Sequence, residues 1–484
     1  MNFVYINPDE MRADVLACYG HPLARTPNLD RLAATGVRFD QCHVQHTVCT
    51  PSRCSFMTGW YPHTRGHRTL WHLLRPDEPN TLRYLKQGGY EVHWIGKNDL
   101  LSQDSFARSV SRLHCVQGPG GRPQPRHDAP DANDFLAGPL EGHHHDYYSY
   151  QRAAEFVRSR GAGDSPFMLF LATGCPHPTY TAPQPWYDMY KPEDVPPLRA
   201  PELPDKPDFY RLIREYRGLD GVDEWELRKI MAVYLGMVSY VDDMVGMVLD
   251  ALDESGRAED TVVVFFSDHG DWAGDYGLVE KWPSGLDDCL TRVPMIVRAP
   301  GCRGGHVVDA PVECFDIMPT TLELAGIEPQ HTHFARSMVP QLCGGAGDAD
   351  RAVFAEGGYD PHEPHCFEGK PGGGICANPD GIYYPKGLQQ QQDPRSVCRA
   401  TMIRTRTHKL VRRPLGVSEL YDLTSDPQEL RNVHDEASYA PVRSELQERM
   451  LDWYVHTSDV VPFDADPRGV TPEVAEALSA PPQA

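Results

Sequence analysis

The chain has 484 residues, 40% hydrophobic and 24% charged, a mixture that suits a large buried core. Lysine and arginine number 46 against 68 aspartates and glutamates, and the formal charge of −22 argues against general attraction to nucleic acid or anionic lipid. The 44 prolines point to long ordered loops on a rigid frame rather than a helical bundle.

The opening Met1-Asn2-Phe3-Val4-Tyr5-Ile6 reads as a strand, not as a charged and then apolar leader, so a cytoplasmic location without a membrane anchor is expected. No apolar stretch approaches the ~20 residues of a membrane helix. The 13 cysteines contain no C-x-x-C pair, and most are expected to be reduced and buried.

Short β-branched or aromatic runs alternate with helical patterns, which predicts βαβ units and a mainly parallel sheet. In chain order the reading is a strand over 3–6, helices over 28–35 and 80–87, a strand over 91–95, a helix over 148–159 and a strand over 167–172. A long helix comes next over 224–255, with Ile230, Val233, Tyr234 and Met237 at helical spacing and a stop at Gly256. Then come strands over 261–266 and 295–298 and a short helix over 315–325. After Gly344 the texture changes. A strand over 351–356 precedes a Gly/His/Pro-rich insertion over 357–394, three short strands (401–404, 409–412, 419–423), a helix over 437–456 and a loose tail from about 464. The expected fold class is α/β: a large domain over 1–345 built on a mainly parallel sheet flanked by helices, and a smaller α+β domain over 346–484.

Ligands of open parallel sheets bind beyond the carboxyl ends of the strands. Four predicted strand exits each supply polar groups there: Asp9 and Glu10; Gly96-Lys97; His177; and Ser267-Asp268-His269-Gly270-Asp271. Each alone is ordinary for a βα loop, and their coincidence at one edge is the signal. Asp9, Glu10, Asp268 and His269 form an oxygen-rich set with one imidazole. That set suits one divalent cation, Ca²⁺ first and Mn²⁺ or Mg²⁺ next, with the imidazole pulling toward Mn²⁺. It is a poor structural zinc site. In Cys49-Thr50-Pro51-Ser52-Arg53, Pro51 fits a first helical turn, which puts Cys49 at a helix start where anions are attracted. Arg53 can then offer a fork to sulfate or phosphate oxygens.

Cys49-Thr50-Pro51-Ser52-Arg53 resembles the C-x-P-S-R signature of type I sulfatases, of the alkaline phosphatase superfamily. The resemblance extends over nearly the whole chain. It takes in Asp9-Glu10, Thr26-Pro27-Asn28-Leu29-Asp30, Thr58-Gly59-Trp60-Tyr61-Pro62-His63, Gly96-Lys97, Pro176-His177-Pro178 and Ser267-Asp268-His269-Gly270-Asp271. Gly277-Leu278-Val279-Glu280-Lys281 and the late Leu420-Tyr421-Asp422-Leu423 also fit. It implies an alkaline-phosphatase-like sheet and oxidation of Cys49 to formylglycine by a generating maturase. One oxygen of the hydrated aldehyde would attack sulfur and expel the alcohol; the other would lose its proton and expel sulfate. It also implies that Arg53 supports the diol, that Lys97 and Lys281 bind sulfate oxygens, and that His177 donates a proton to the departing alcohol. The expected substrate is a sulfate monoester of a small molecule or short saccharide.

Three positions depart from the family pattern. Asp99 stands where many relatives carry a histidine, and reads as either a base or a partner of Lys97; His67 and His72 are other candidates for the base. Glu10 replaces an aspartate, and His269 an asparagine. Phosphonate monoester or phosphodiester hydrolases share the nucleophile signature and the Asp-His pair, and form the competing reading; Lys97 favours the sulfatase branch. A non-catalytic anion- or glycan-binding relative is the third. His143-His144-His145 cannot all face one ion on a regular element and reads as pocket lining or a solvated loop. The insertion reads as substrate-shaping first and as an oligomer contact second, and Trp60, Trp71 and Tyr147 read as surfaces for a sugar face or as core.

Overall fold

A computed structural model describes residues 1–124, 135–161, 163–370, 373–462, 465 and 468–479. Part of the expected loose tail, and Gly372 of the insertion, lie outside the described residues.

The main sheet has eight strands: β1 Asn2–Asn7, β2 Val37–Phe39, β3 Glu91–Gly96, β4 Arg112–His114, β5 Phe167–Ala172, β6 Thr261–Phe266, β7 Met295–Arg298 and β8 His306–Val308. Their order is β8-β2-β7-β6-β1-β5-β3-β4. Every pairing is parallel except the two made by β7. The expected strands are present within a residue or two. The short strands β2, β4 and β8 carry too few residues to show a pattern and were not expected.

The central strands read as unbroken apolar runs because both faces are covered. On one face Val4, Ile6, Leu169, Leu171, Val263 and Phe265 form one core cluster. On the other, Phe3, Tyr5, Met168, Phe170, Val262 and Val264 form a second, as the two-residue period of a strand requires. Among the helices are α1 Pro27–Thr35, α2 Cys49–Thr58, α3 Thr81–Gln87, α4 His145–Arg158, α5 Glu224–Glu254, α6 Ile317–Leu324, α7 Tyr384–Gln392 and α8 Ala440–Thr457. Helices α1, α4 and α5 cover the first face; α2, α3 and α6 cover the second. Helix α5 starts at Asp223, whose side chain accepts from Glu226 N. By length and composition α5 could cross a membrane, in contrast to the sequence expectation, but 89% of its apolar window is buried inside the protein, as in a core helix.

A second sheet joins β9 Val353–Gly357, β10 Ala400–Arg404, β11 His408–Arg412 and β12 Glu419–Asp422, antiparallel throughout. Its Phe354, Ile403 and Leu410, with Trp453 of α8, belong to the same apolar cluster as Phe3 and Tyr5. The insertion, expected without regular structure, contains α7. The expected loose tail carries an exposed helix over Pro472–Ser479.

Candidate active site

Strands β6, β1, β5 and β3 are consecutive neighbours and mutually parallel, so their carboxyl ends lie side by side. This is why Asp268, Asp9, His177 and Lys97 meet although they are far apart in the chain. Gly96 ends β3 with φ 102°, and a Cβ there would lie 1.8 Å from Ala172 O, so only glycine lets Lys97 turn in at this point. Helix α2 begins at Cys49, with Pro51 in its first turn, and ends at Gly59 in a left-handed cap. Phe56 packs edge-on against Phe266 at 4.9 Å between ring centroids, which seats the helix bearing Cys49 on the strand leading to Asp268.

Cys49 Sγ lies 3.5 Å from Asp9 Oδ1 and 3.2 Å from His269 Nε2. Arg53 Nε donates to Asp268 Oδ2 at 2.8 Å and its Nη2 to Asp9 Oδ2 at 3.2 Å, all three side chains being fully buried. Ser52 Oγ donates to Asp268 O at 2.5 Å. Lys97 Nζ pairs with Asp9 and, at 2.7 Å, with Asp99. Burial alone would raise Asp9; the cations Lys97 and Arg53 outweigh it and hold this carboxyl well below the usual range. Burial and Asp9 push the Cys49 thiol up, so an unmodified sulfur stays protonated.

On the other side of Asp9, Lys281 Nζ lies 2.7 Å from Glu10 Oε2 and 2.7 Å from His177 Nε2. His177 Nδ1 donates to Pro178 O at 2.7 Å, since a carbonyl can only accept, so Nε2 presents its lone pair to the ammonium. Burial, with Lys281 beside it, lowers His177 to about 3.

Among the described residues, Asp9, Cys49, Asp268 and His269 bring ligand atoms within 4.8 Å of one another; Glu10 falls into a second group with Asp9 and His177. The fit to a divalent cation is good in chemistry. His269 Nδ1 donates to Gly270 O at 3.0 Å, leaving Nε2 as a lone pair toward Cys49 and Asp9. Glu10 Oε1 is buried with no hydrogen-bond partner among the described residues, an oxygen that a cation would satisfy.

Several residues that frame this site escape sequence reasoning. Asp146 Oδ2 accepts from Gly174 N at 2.8 Å and Cys175 N at 2.7 Å and so holds the turn that carries His177. The three histidines before it diverge: His143 stacks on Tyr147, while His144 and His145 reach Asp146. Tyr180 Oη donates to Asp271 Oδ1 and accepts from Glu280 N, bracing the segment with Lys281. Tyr383 of the insertion sits over His177, its Oη 3.5 Å from Nδ1. Of the other candidates, His67 spends its ring nitrogens on Glu78 and His72 O. Trp60 is buried with its Nε1 on Thr332 O, whereas Trp71 is 43% exposed.

Residues 1–327 match the model of the family described as Sulfatase, and residues 381–456 match that described as N-sulphoglucosamine sulphohydrolase, C-terminal. The chain belongs to the sulfatase family of sulfuric ester hydrolases. It is 27% identical to the multifunctional alkaline phosphatase superfamily protein PehA of Trinickia caryophylli, over 97% of this chain and 98% of the relative. It is 25% identical to an N-acetylglucosamine-6-O-sulfatase of Bacteroides thetaiotaomicron, over 92% of this chain and 85% of the relative. Among solved structures, the phosphonate monoester hydrolase of Agrobacterium radiobacter superposes with a TM-score of 0.76 at 24% identity, covering 94% of this chain and 96% of that one. The alkaline-phosphatase-like fold expected from the sequence is therefore present.

Proposed function

We propose that the protein hydrolyses a sulfate monoester of a small molecule or short saccharide, using a formylglycine made from Cys49 and one divalent cation. The observation that carries this reading is the place of Cys49: first residue of a buried helix, 3.2 Å from His269 Nε2, with Arg53, Lys97 and Lys281 around the same strand edge. A cation held by Asp9, Asp268 and His269, with Glu10 beside them, would supply charge that eases loss of a hydroxyl proton and polarises the sulfate.

The chain's own residues do the rest. Arg53 orients both carboxylates through its fork. Lys97 and Lys281 neutralise the sulfate oxygens. The Lys281–His177 pair holds a proton at the position where the alcohol oxygen departs. A saccharide alcohol is supported by the N-acetylglucosamine-6-O-sulfatase relative. The cysteines other than Cys49 are unpaired thiols, which suits the reducing cytoplasm as the place of work.

The fold shared with a phosphonate monoester hydrolase and the likeness to a multifunctional relative favour a second reading, hydrolysis of phosphonate or phosphate diesters. Protein co-produced with a maturase decides between them. Mass spectrometry of the Cys49 peptide should show aldehyde in place of thiol, and 4-nitrophenyl sulfate should be turned over faster than a phenylphosphonate monoester. A large preference for the phosphonate overturns the sulfatase reading; an active enzyme with wholly unmodified Cys49 overturns the nucleophile.

A further inference from the structure

The contacts of Lys281 continue beyond the site. Glu280, its neighbour, is buried with φ 64°, a left-handed backbone that a side-chain-bearing residue adopts only under constraint. The constraint is a set of ion pairs. Arg217 Nη2 donates to Glu280 Oε2 at 2.6 Å, and Lys386 Nζ donates to Oε1 at 3.1 Å. Lys386 also pairs with Glu368 at 2.8 Å. Lys386 and Glu368 both belong to the 357–394 insertion, so a buried chain of alternating charges, Lys281–Glu280–Lys386–Glu368, ties the insertion to the lysine of the site.

That tie fixes the residue three positions before Lys386. Tyr383, at the cap of α7, places Oη 3.5 Å from His177 Nδ1 and 3.4 Å from Pro178 O. His177 Nδ1 already donates to Pro178 O, so these long contacts leave most of the phenol's hydrogen-bonding capacity unspent. Burial raises the phenol well above its usual pKa and keeps it a neutral hydroxyl. Phe135 packs edge-on against the Tyr383 ring at 5.9 Å. Phe135, with Arg217, Asp380 and Ile382, also lines a neighbouring cavity of about 340 Å³, in whose wall neither Tyr383 nor His177 takes part.

Resting on the sulfatase reading above, we propose that Tyr383 is a specificity residue on the leaving-alcohol side. Its hydroxyl hydrogen-bonds a hydroxyl of a polyol alcohol beside His177, and the Lys386–Glu280 ion pair is the positioning contact that holds it there. A hydrogen-bonding site discriminates strongly against an ester that lacks the matching group, which an aryl sulfate does.

The test compares matured enzyme on a panel of sulfated hexoses and on 4-nitrophenyl sulfate. Tyr383→Phe should lower the ratio of kcat/KM, best hexose ester over aryl ester, at least fivefold. Lys386→Met should lower the same ratio, and Lys386→Arg should restore most of it, an outcome that loss of folding alone does not produce. If Lys386→Met does not fold, Tyr383→Phe alone decides. A smaller fall in Tyr383→Phe overturns the proposal, as does wild-type enzyme that hydrolyses the aryl ester and no hexose ester. Wild-type enzyme that turns over no sulfate refutes the sulfatase reading itself, a result visible before any variant is made.

Discussion

Arg53 Nε donates to Asp268 Oδ2 at 2.8 Å, and neither side chain has any solvent exposure. Removing one partner of such a pair leaves a buried charge uncompensated, at a cost of about 3–5 kcal/mol. Arg53→Met should lose stability of that order in urea denaturation of the metal-free protein. A divalent cation should recover more stability in Arg53→Met than in wild type, because it replaces the missing positive charge. Equal recovery in both proteins would separate Arg53 from the cation site.

The effect of removing the cation should trace to the same carboxylates. Dialysis against a chelator should abolish turnover, and restoring Ca²⁺, Mn²⁺ or Mg²⁺ should return it and raise Tm, since a ligand that binds only the native state stabilises it. Asp9→Asn and Asp268→Asn should show a much smaller rise in Tm. A rise as large as that of wild type in both variants would move the site elsewhere.

Asp99 pairs with Lys97 at 2.7 Å, and both side chains are about one-third exposed. Burial would raise this carboxyl, but Lys97 and Arg53 hold it lowered, so it is anionic in use and competes with sulfate for Lys97. Asp99→Asn should therefore bind inorganic sulfate more tightly, by up to about fivefold for a partly exposed pair. Inhibition by sulfate measures this. Weaker binding would mean that Asp99 holds Lys97 in place rather than competing for it.

Asp242, in the middle of α5, closes the amino end of α1: Oδ1 accepts from Leu29 N at 2.8 Å and Oδ2 from Asn28 N at 3.1 Å. Burial outweighs these donors and raises Asp242 to about 6. A carboxyl raised in the native state stabilises most when protonated; its contribution is complete below about pH 4 and is lost as pH climbs through about 6. The stability of wild type relative to Asp242→Asn should fall by about 2–3 kcal/mol between pH 4 and 7. A flat difference would show that the backbone donors keep the carboxylate ionised throughout.

Much of the fold and of the site was legible because parallel strands bury both faces. β1, β5 and β6 are runs of apolar side chains that stop at polar residues, so each strand end could be read together with the polar loop after it. Cys49 and Arg53 were legible from local helix chemistry and from the family likeness. The residues that escaped depend on tertiary contact. Nothing local in Tyr383 tells that an ion pair at Lys386 will swing it over His177. The aspartate after three histidines gives no sign that it will grip the backbone at Gly174 and Cys175. The direction of β7 was hidden as well, because a four-residue strand reads the same whichever way it runs.

The apolar side chains of Phe354, Ile403, Leu410 and Trp453 share a cluster with those on the underside of β1. The later part of the chain is thus sealed onto the earlier part by greasy surface and is not a module on a tether. A chimaera that borrows this region from another sulfatase to change what the pocket admits must import the matching underside too, or expose a sticky patch and precipitate.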